Sequence, residues 1–281
     1  MLHGLSRAMT GPQLLTEVIM SDSEQSYLRD VQYRFPDRLK ARSILHTRYG
    51  RGDWFEWLAS NIPLPAGGVI ADVGCGAGSF WTNAPQSLPS DLKLRLSDIS
   101  EGMADAARAS IAALRRWHDV EVSVADAVAL PLANASVDTT IAIHMLYHLT
   151  DPASGLREMA RVTREGGAVA VVLNPAGTMA ELSALARAPF GGEIDPRPEP
   201  LSSEQGLALM QREFASVDVV RYDDELRVTD PVDLLGYLGS LPIADKPGVM
   251  EKLAAIVEDA FRRTDGVFTI AKASELLIGR R

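Results

Sequence analysis

Between residues 69 and 173 the hydrophobic positions of this chain fall into two alternating rhythms. Short apolar runs occur at Val69-Ile70-Ala71, at 92–99, at Val122-Ser123-Val124 and at 136–143, and another follows Gly166-Gly167. Helix-spaced patterns separate them at 102–117 and 151–163. Such alternation predicts an α/β fold with a parallel, doubly wound sheet and helices on both faces.

The flanks follow other rhythms. Ser21-Asp22-Ser23-Glu24 has the form of a capping box ahead of a helical pattern at 27–33. Pro36 and Asp37 suit the first turn of a second helix that Gly50 ends, and Trp54, Phe55, Trp57 and Leu58 mark a short third one. After Pro175 the pattern predicts helices at 178–188, from Ser202, at 230–238 and at 249–263. Strands are expected at 217–222 and 268–278, with a Gly/Pro-rich surface loop at 189–200. Three parts follow: an N-terminal helical cover at 1–65, a core at 66–175, and cover helices with the last strands at 176–281.

The candidate chemistry sits where the first strand ends. Asp72-Val73-Gly74-Cys75-Gly76-Ala77-Gly78 places a carboxylate two residues before a turn in which every second residue is glycine. Glycine lets a ligand lie against the backbone, and a helix opening after such a turn offers free N–H groups. The dinucleotide fingerprint needs its third glycine at the sixth position of the turn, where this chain has Ser79. No lysine followed by serine or threonine is present either, which excludes a phosphate-cradling loop. Asp72 would repel pyrophosphate but suits a ligand carrying an ammonium and a sulfonium.

Further acids end the next strands: Asp98, followed by Ile99, and Asp126, between Ala125 and Ala127. A fourth stretch runs from Ser136 to Leu149 through His144, Tyr147 and His148. In this order the motifs resemble those of the class I S-adenosylmethionine-dependent methyltransferases, in the branch with small-molecule enzymes of the ubiquinone and menaquinone type. The resemblance spans roughly residues 50 to 175 and is poor in the flanks. It implies a Rossmann-like seven-stranded sheet that binds S-adenosylmethionine and releases S-adenosylhomocysteine.

By the same resemblance, Asp72, Gly74, Cys75, Gly76 and Gly78 form the cofactor turn. Asp98 receives both ribose hydroxyls and Ile99 packs on adenine. Asp126 accepts the adenine amino proton, and Met103 and Ala127 join the cofactor set. The backbone of His144 lines the methionine end. Tyr33 and Arg42 are candidates to reach the cofactor carboxylate, which arginine grips bidentately. The N-terminal helices, with helices inserted between the fifth and sixth strands, are expected to cover the substrate.

His144, His148 and Tyr147 are the catalytic candidates, because histidine takes protons near neutrality. On a helix His144 and His148 would share one face. No third ligand accompanies them, so no metal is expected. The expected reaction is methyl transfer to a small molecule, with oxygen slightly favoured on account of the histidines and carbon and nitrogen left open. The alternatives are a protein that binds the cofactor but catalyses another step, such as cyclisation, and a non-catalytic binding subunit.

Composition adds three constraints. The 281 residues are 46% hydrophobic, enough for one large α/β domain with additions. A formal charge of −9 disfavours a nucleic-acid substrate. The single cysteine, Cys75, excludes an intramolecular disulfide. No apolar segment approaches a membrane span and the opening residues lack a secretory core, so the expectation is a cytoplasmic protein without membrane partners. A homo-oligomer is left open. The carboxylates of 193–199 and 223–225 are expected to face water.

Overall fold

The computed structural model describes residues 36–191 and 200–281. The expected helix at 27–33, Tyr33 and the carboxylates of 193–199 lie outside the described residues. Seven strands form one sheet in the order β3-β2-β1-β4-β5-β7-β6. They are β1 (Val69–Val73), β2 (Lys93–Asp98), β3 (Asp119–Val124), β4 (Val137–Ile143), β5 (Thr163–Leu173), β6 (Ser216–Val228) and β7 (Phe268–Arg280). The first five pair in parallel, while β7 runs antiparallel to both β5 and β6. The helices are α1 (Pro36–Tyr49), α2 (Trp54–Asn61), α3 (Ser79–Thr82), α4 (Glu101–Leu114), α5 (Pro152–Val162), α6 (Ala180–Arg187), α7 (Ser203–Glu213), α8 (Pro231–Gly239) and α9 (Val249–Arg263).

Strand periodicity divides the core in two. Ala168, Ala170 and Val172 of β5 face one cluster with Leu58, Trp81 and Ile111, which come from α2, α3 and α4. Val169, Val171 and Leu173 face the other, with Leu156 and Met159 of α5 and Met210 of α7. A strand buried on both faces reads as a continuous apolar run, which is why period two is hidden in the sequence of β5. The glycine pair expected as a turn before the fifth strand lies within it: β5 starts at Thr163, and Gly166 bulges at φ 73°. Its pairing with β4 shifts there, between Val137 and Thr139.

The C-terminal part departs furthest from expectation. β6 continues to Val228, six residues beyond the predicted end, and stays paired to β7 throughout. β5 pairs with β7 only as far as Leu173 opposite Glu275. Since β5 ends there, residues 268–274 and their β6 partners run on as a two-stranded ribbon past the carboxyl edge of the parallel strands. A third core holds the ribbon in place. Leu226, Val228 and Ile270 pack with Leu45 of α1, Leu182 of α6, Leu234 and Leu238 of α8, and Leu253 and Val257 of α9. Helices of this cover therefore come from α1 and from two insertions, β5–β6 and β6–β7.

Capping fixes several entries. Ser202 and Gln205 form a capping box at the start of α7. Asp53 Oδ1 accepts from the amides of Phe55 and Glu56 at 3.1 and 3.0 Å and opens α2. Among the described residues no helix is long and apolar enough to cross a membrane.

Candidate functional site

One large cavity of about 1320 Å³ lies at the carboxyl edge of the parallel strands, under the ribbon. Ligands of open α/β sheets bind at this edge, where the strand order reverses. Here that point lies between β1 and β4. The turn after β1 passes Gly74, Gly76 and Gly78 at φ 68°, 56° and 77°. A Cβ on Gly74 would stand 2.8 Å from Met145 Cβ, so conformation and packing both require glycine. A Cβ on Gly76 would meet nothing within 4 Å, because that side opens on the cavity.

Asp98 ends β2 and is bound by that turn. One carboxylate oxygen accepts from Gly76 N and the other from Ser100 N, each at 2.9 Å. A carboxylate offers about four lone-pair sites, so each oxygen retains one for a ligand donor. A ribose diol supplies the two donors required. Burial raises the Asp98 carboxyl above its ordinary range, and the two amide bonds oppose the rise. Ile99 beside it is 54% exposed although apolar, and it lines the cavity with Met103, Ala127 and Val128. Asp126 lines the same end and accepts from Val128 N at 3.1 Å. These groups fit an adenosyl ligand: two free acceptor sites, an uncovered aliphatic wall and a glycine face without side chains.

Asp72 is only 2% exposed, and Trp81 Nε1 donates to it at 2.8 Å. Burial pushes its carboxyl up to about 7; the indole bond lowers it, and the neighbouring Asp98 charge adds to the rise. A cation in the cavity would favour the ionised form. Cys75 donates its backbone amide to Ser97 O at 2.9 Å, and burial raises its thiol well above the ordinary value. A thiol so shifted stays protonated and is a poor nucleophile.

At the other end of the cavity, His144 takes φ 53°, left-handed for a residue with a Cβ, and its amide donates to Val172 O at 3.1 Å. This breaks the chain before a single 3₁₀ turn at Leu146–His148. The face that His144 and His148 would share on a helix therefore does not form. Both still line the cavity, as does Tyr147, whose ring meets His148 edge-on at 4.4 Å. Burial lowers His144 to about 3 and His148 to about 4, so both are neutral at physiological pH. Arg42 also lines the cavity, but its guanidinium donates to Ser240 Oγ and O at 3.1 and 3.0 Å, tying α1 to the end of α8.

Several lining residues had no expected role in the site. Trp54, which would ordinarily be read as core, stacks on His144 at 5.5 Å between ring centroids. His46, Tyr237, Asp224 and Lys272 stand in the same cavity. Asp224 therefore does not simply face water as expected: its Oδ1 accepts from Arg51 N and Glu225 N at 3.0 and 2.8 Å. No stretch of the sequence brings Asp224 and Lys272 together, since they meet only through the β6–β7 register.

Residues 71–171 match the family model described as a methyltransferase domain. An O-methyltransferase of Pyrenophora dematioidea is 36% identical over 109 residues, 39% of this chain and 40% of that one. The 27-O-demethylrifamycin SV methyltransferase of Amycolatopsis mediterranei is 34% identical over 131 residues, 44% and 47% of the two chains. The matched region thus spans less than half the length of these curated relatives. A solved chain from Bacillus halodurans C-125 shares the fold at TM-score 0.59 and 16% identity, covering 82% of this chain and 99% of that one. The match to the methyltransferase domain model covers the sheet core, and the solved chain shares that fold.

Proposed function

We propose that this chain transfers the methyl group of S-adenosylmethionine to an oxygen of a small molecule, leaving S-adenosylhomocysteine. The observation that carries this is one continuous cavity. It joins the Asp98 carboxylate and open glycine turn at one end to His144 and Trp54 at the other. The two O-methyltransfer relatives support oxygen as the acceptor, and the rifamycin enzyme supports a role in secondary metabolism. Within the proposal, residues 66–175 hold the cofactor, and the described parts of 1–65 and 176–281 close the acceptor side in a cytoplasmic protein.

The bound cofactor supplies an electrophilic methyl group. The chain has the remaining tasks. Asp98 and the glycine turn fix the adenosyl part, and Asp72 faces its cationic end. The ribbon and cover helices exclude water and align the acceptor oxygen. Neutral His144 and His148, with Tyr147, orient the hydroxyl and take part in moving its proton.

Calorimetry with S-adenosylhomocysteine tests the cofactor half, and label transfer from methyl-labelled S-adenosylmethionine to phenolic acceptors tests the reaction. Failure to bind S-adenosylhomocysteine would sink the proposal. Binding with conversion of an acceptor but no label transfer would favour a non-methylating reaction such as cyclisation.

A further inference from the structure

Lys272 stands on the ribbon, directly opposite Asp224 in the β6–β7 register. Its ammonium lies over the rings of Trp54 and Tyr222, 5.2 and 5.6 Å from their centroids. Among the described residues no carboxylate comes within 4 Å of it. Burial lowers the Lys272 ammonium from its ordinary value and Asp224 opposes that fall, but this carboxylate already accepts from the amides of Arg51 and Glu225. The other acids at this end are also engaged. Asp53 caps α2, and Asp151 caps α5 through Ser154 N at 2.9 Å.

Around this cation the cavity keeps hydrogen-bonding capacity unused. His46 Nδ1 and His144 Nδ1 are buried and without a partner. Buried polar atoms left unpaired cost free energy, so a ligand oxygen that satisfies them is favoured. The groups facing Lys272 are His46, His144, Tyr222, Trp54 and Asp224, and only the last carries negative charge.

We propose that the acceptor end receives an acidic hydroxyl, a phenol or enol, as its oxyanion, with the Lys272 ammonium as counter-charge and His46 and His144 as hydrogen-bond partners. This rests on the methyl-transfer reading and narrows its substrate class. An amine acceptor would meet the lysine as a cation. An ordinary alcohol would need a strong base, and the nearby histidines are weak ones: His46 is lowered to about 4 and His144 to about 3, by burial and by Lys272. A phenol or enol needs only to have its own acidity raised, which a desolvated ammonium does.

The balance is simple. The acceptor O–H bond breaks and its proton leaves to solvent by way of a neutral imidazole. A lone pair of that oxygen forms the O–C bond to the methyl group. The S–C bond breaks with its pair remaining on sulfur, so the sulfonium becomes a neutral thioether.

4-Nitrophenol tests this, because its anion absorbs at longer wavelength than the neutral phenol. It is titrated into the full chain with saturating S-adenosylhomocysteine, at a pH where the free phenol is mostly protonated. The anion band is expected to grow on binding, with 4-nitroanisole binding more weakly. Lys272→Gln should cut the ratio of bound anion to neutral phenol about tenfold or more, the equivalent of one pKa unit, and Lys272→Arg should restore much of it. No binding of the phenol, no anion band in the wild type, or an equal band in Lys272→Gln would overturn the proposal. Calorimetry with S-adenosylhomocysteine on the same samples separates the outcomes. If the homocysteine compound binds and the lysine has no effect, only this inference falls; if it does not bind, the methyl-transfer reading falls first.

Discussion

The two ends of the cavity are built from the chain in opposite ways. At the glycine end each contact lies at the end of one strand or in the turn that follows: Asp72 and Gly76 after β1, Asp98 and Ile99 after β2, Asp126 after β3. At the acceptor end five segments meet: His46 from α1, Trp54 from α2, His144 after β4, Asp224 from β6 and Lys272 from β7. At the first end backbone amides of the turns hold the strand-end carboxylates in place, whereas at the second the side chains stand on helices and paired strands far apart in the chain. A site made of strand ends follows from the sheet topology once the sheet exists. A site made of distant segments depends on the third core that clamps the ribbon to α1, α8 and α9.

The most severe break in this comparison should come from Asp98→Ala. It removes the acceptors for two ligand hydroxyls, and hydrogen bonds to a charged group are worth about 1.5–3 kcal/mol each. Affinity for S-adenosylhomocysteine should fall by roughly 100-fold or more, as read by calorimetry. The anion band of 4-nitrophenol at Lys272 should survive wherever saturation with the homocysteine compound can still be reached. Unchanged affinity would mean that the diol lies elsewhere and that the strand-end account of this site is wrong.

A smaller loss should separate the cover from the sheet. Leu226 is fully buried in the third core, and Leu226→Ala should cost about 2–5 kcal/mol through lost transfer energy and the remaining cavity. If the cover opens as its own unit, protection of ribbon amides from hydrogen exchange should fall while β1, β2 and β4 stay protected. Uniform loss across all seven strands would show that the two regions unfold together.

The same difference decided what could be read in advance. The run at 92–99 became β2 almost residue for residue, that at 69–71 opened β1, and the turn between Asp72 and Gly78 carried its own chemistry. The ribbon was illegible for a local reason. Asp223-Asp224-Glu225 interrupts the apolar signal just after Tyr222, and an acidic triplet ordinarily ends a strand in solvent. Even-numbered Tyr222, Leu226 and Val228 nevertheless keep one inward face, with Asp224 as its polar member. Long-range pairing with β7 stabilises this face, and no window of the sequence contains that partner. The break at His144 was hidden similarly, since its left-handed backbone follows from the turn between β4 and the 3₁₀ segment rather than from histidine itself.

Asp72 offers a test of moderate size. Its carboxyl is raised from 3.8 to about 7, chiefly by burial. Between those values the folded protein holds a proton that the unfolded chain has released. This contribution to stability therefore declines as pH rises across that window and levels off above it. A bound ammonium favours the ionised carboxylate, so affinity for S-adenosylhomocysteine should climb about tenfold between roughly pH 6 and 8. The cavity histidines are already neutral there and contribute no slope. Asp72→Asn, which can still accept from Trp81, should flatten the profile; a slope that persists in this variant would assign the proton to another group.

The smallest effect should come from Asp53, and it addresses the acceptor end alone. Its carboxylate caps α2 by accepting from two amides, and the helix it opens has only eight residues, beginning with Trp54. Replacing such a cap by alanine costs about 1 kcal/mol. In so short a helix that loss should appear as fraying of the first turn, which carries the indole that stacks on His144 and lies beneath the Lys272 ammonium. Asp53→Ala should therefore weaken binding of 4-nitrophenol by up to roughly fivefold. Affinity for S-adenosylhomocysteine should stay within about twofold, because none of the hydrogen bonds that hold the glycine turn and Asp98 comes from α2. Equal weakening of both ligands would mean that the two ends are mechanically one, and the contrast between a strand-end site and an assembled site would lose its physical basis.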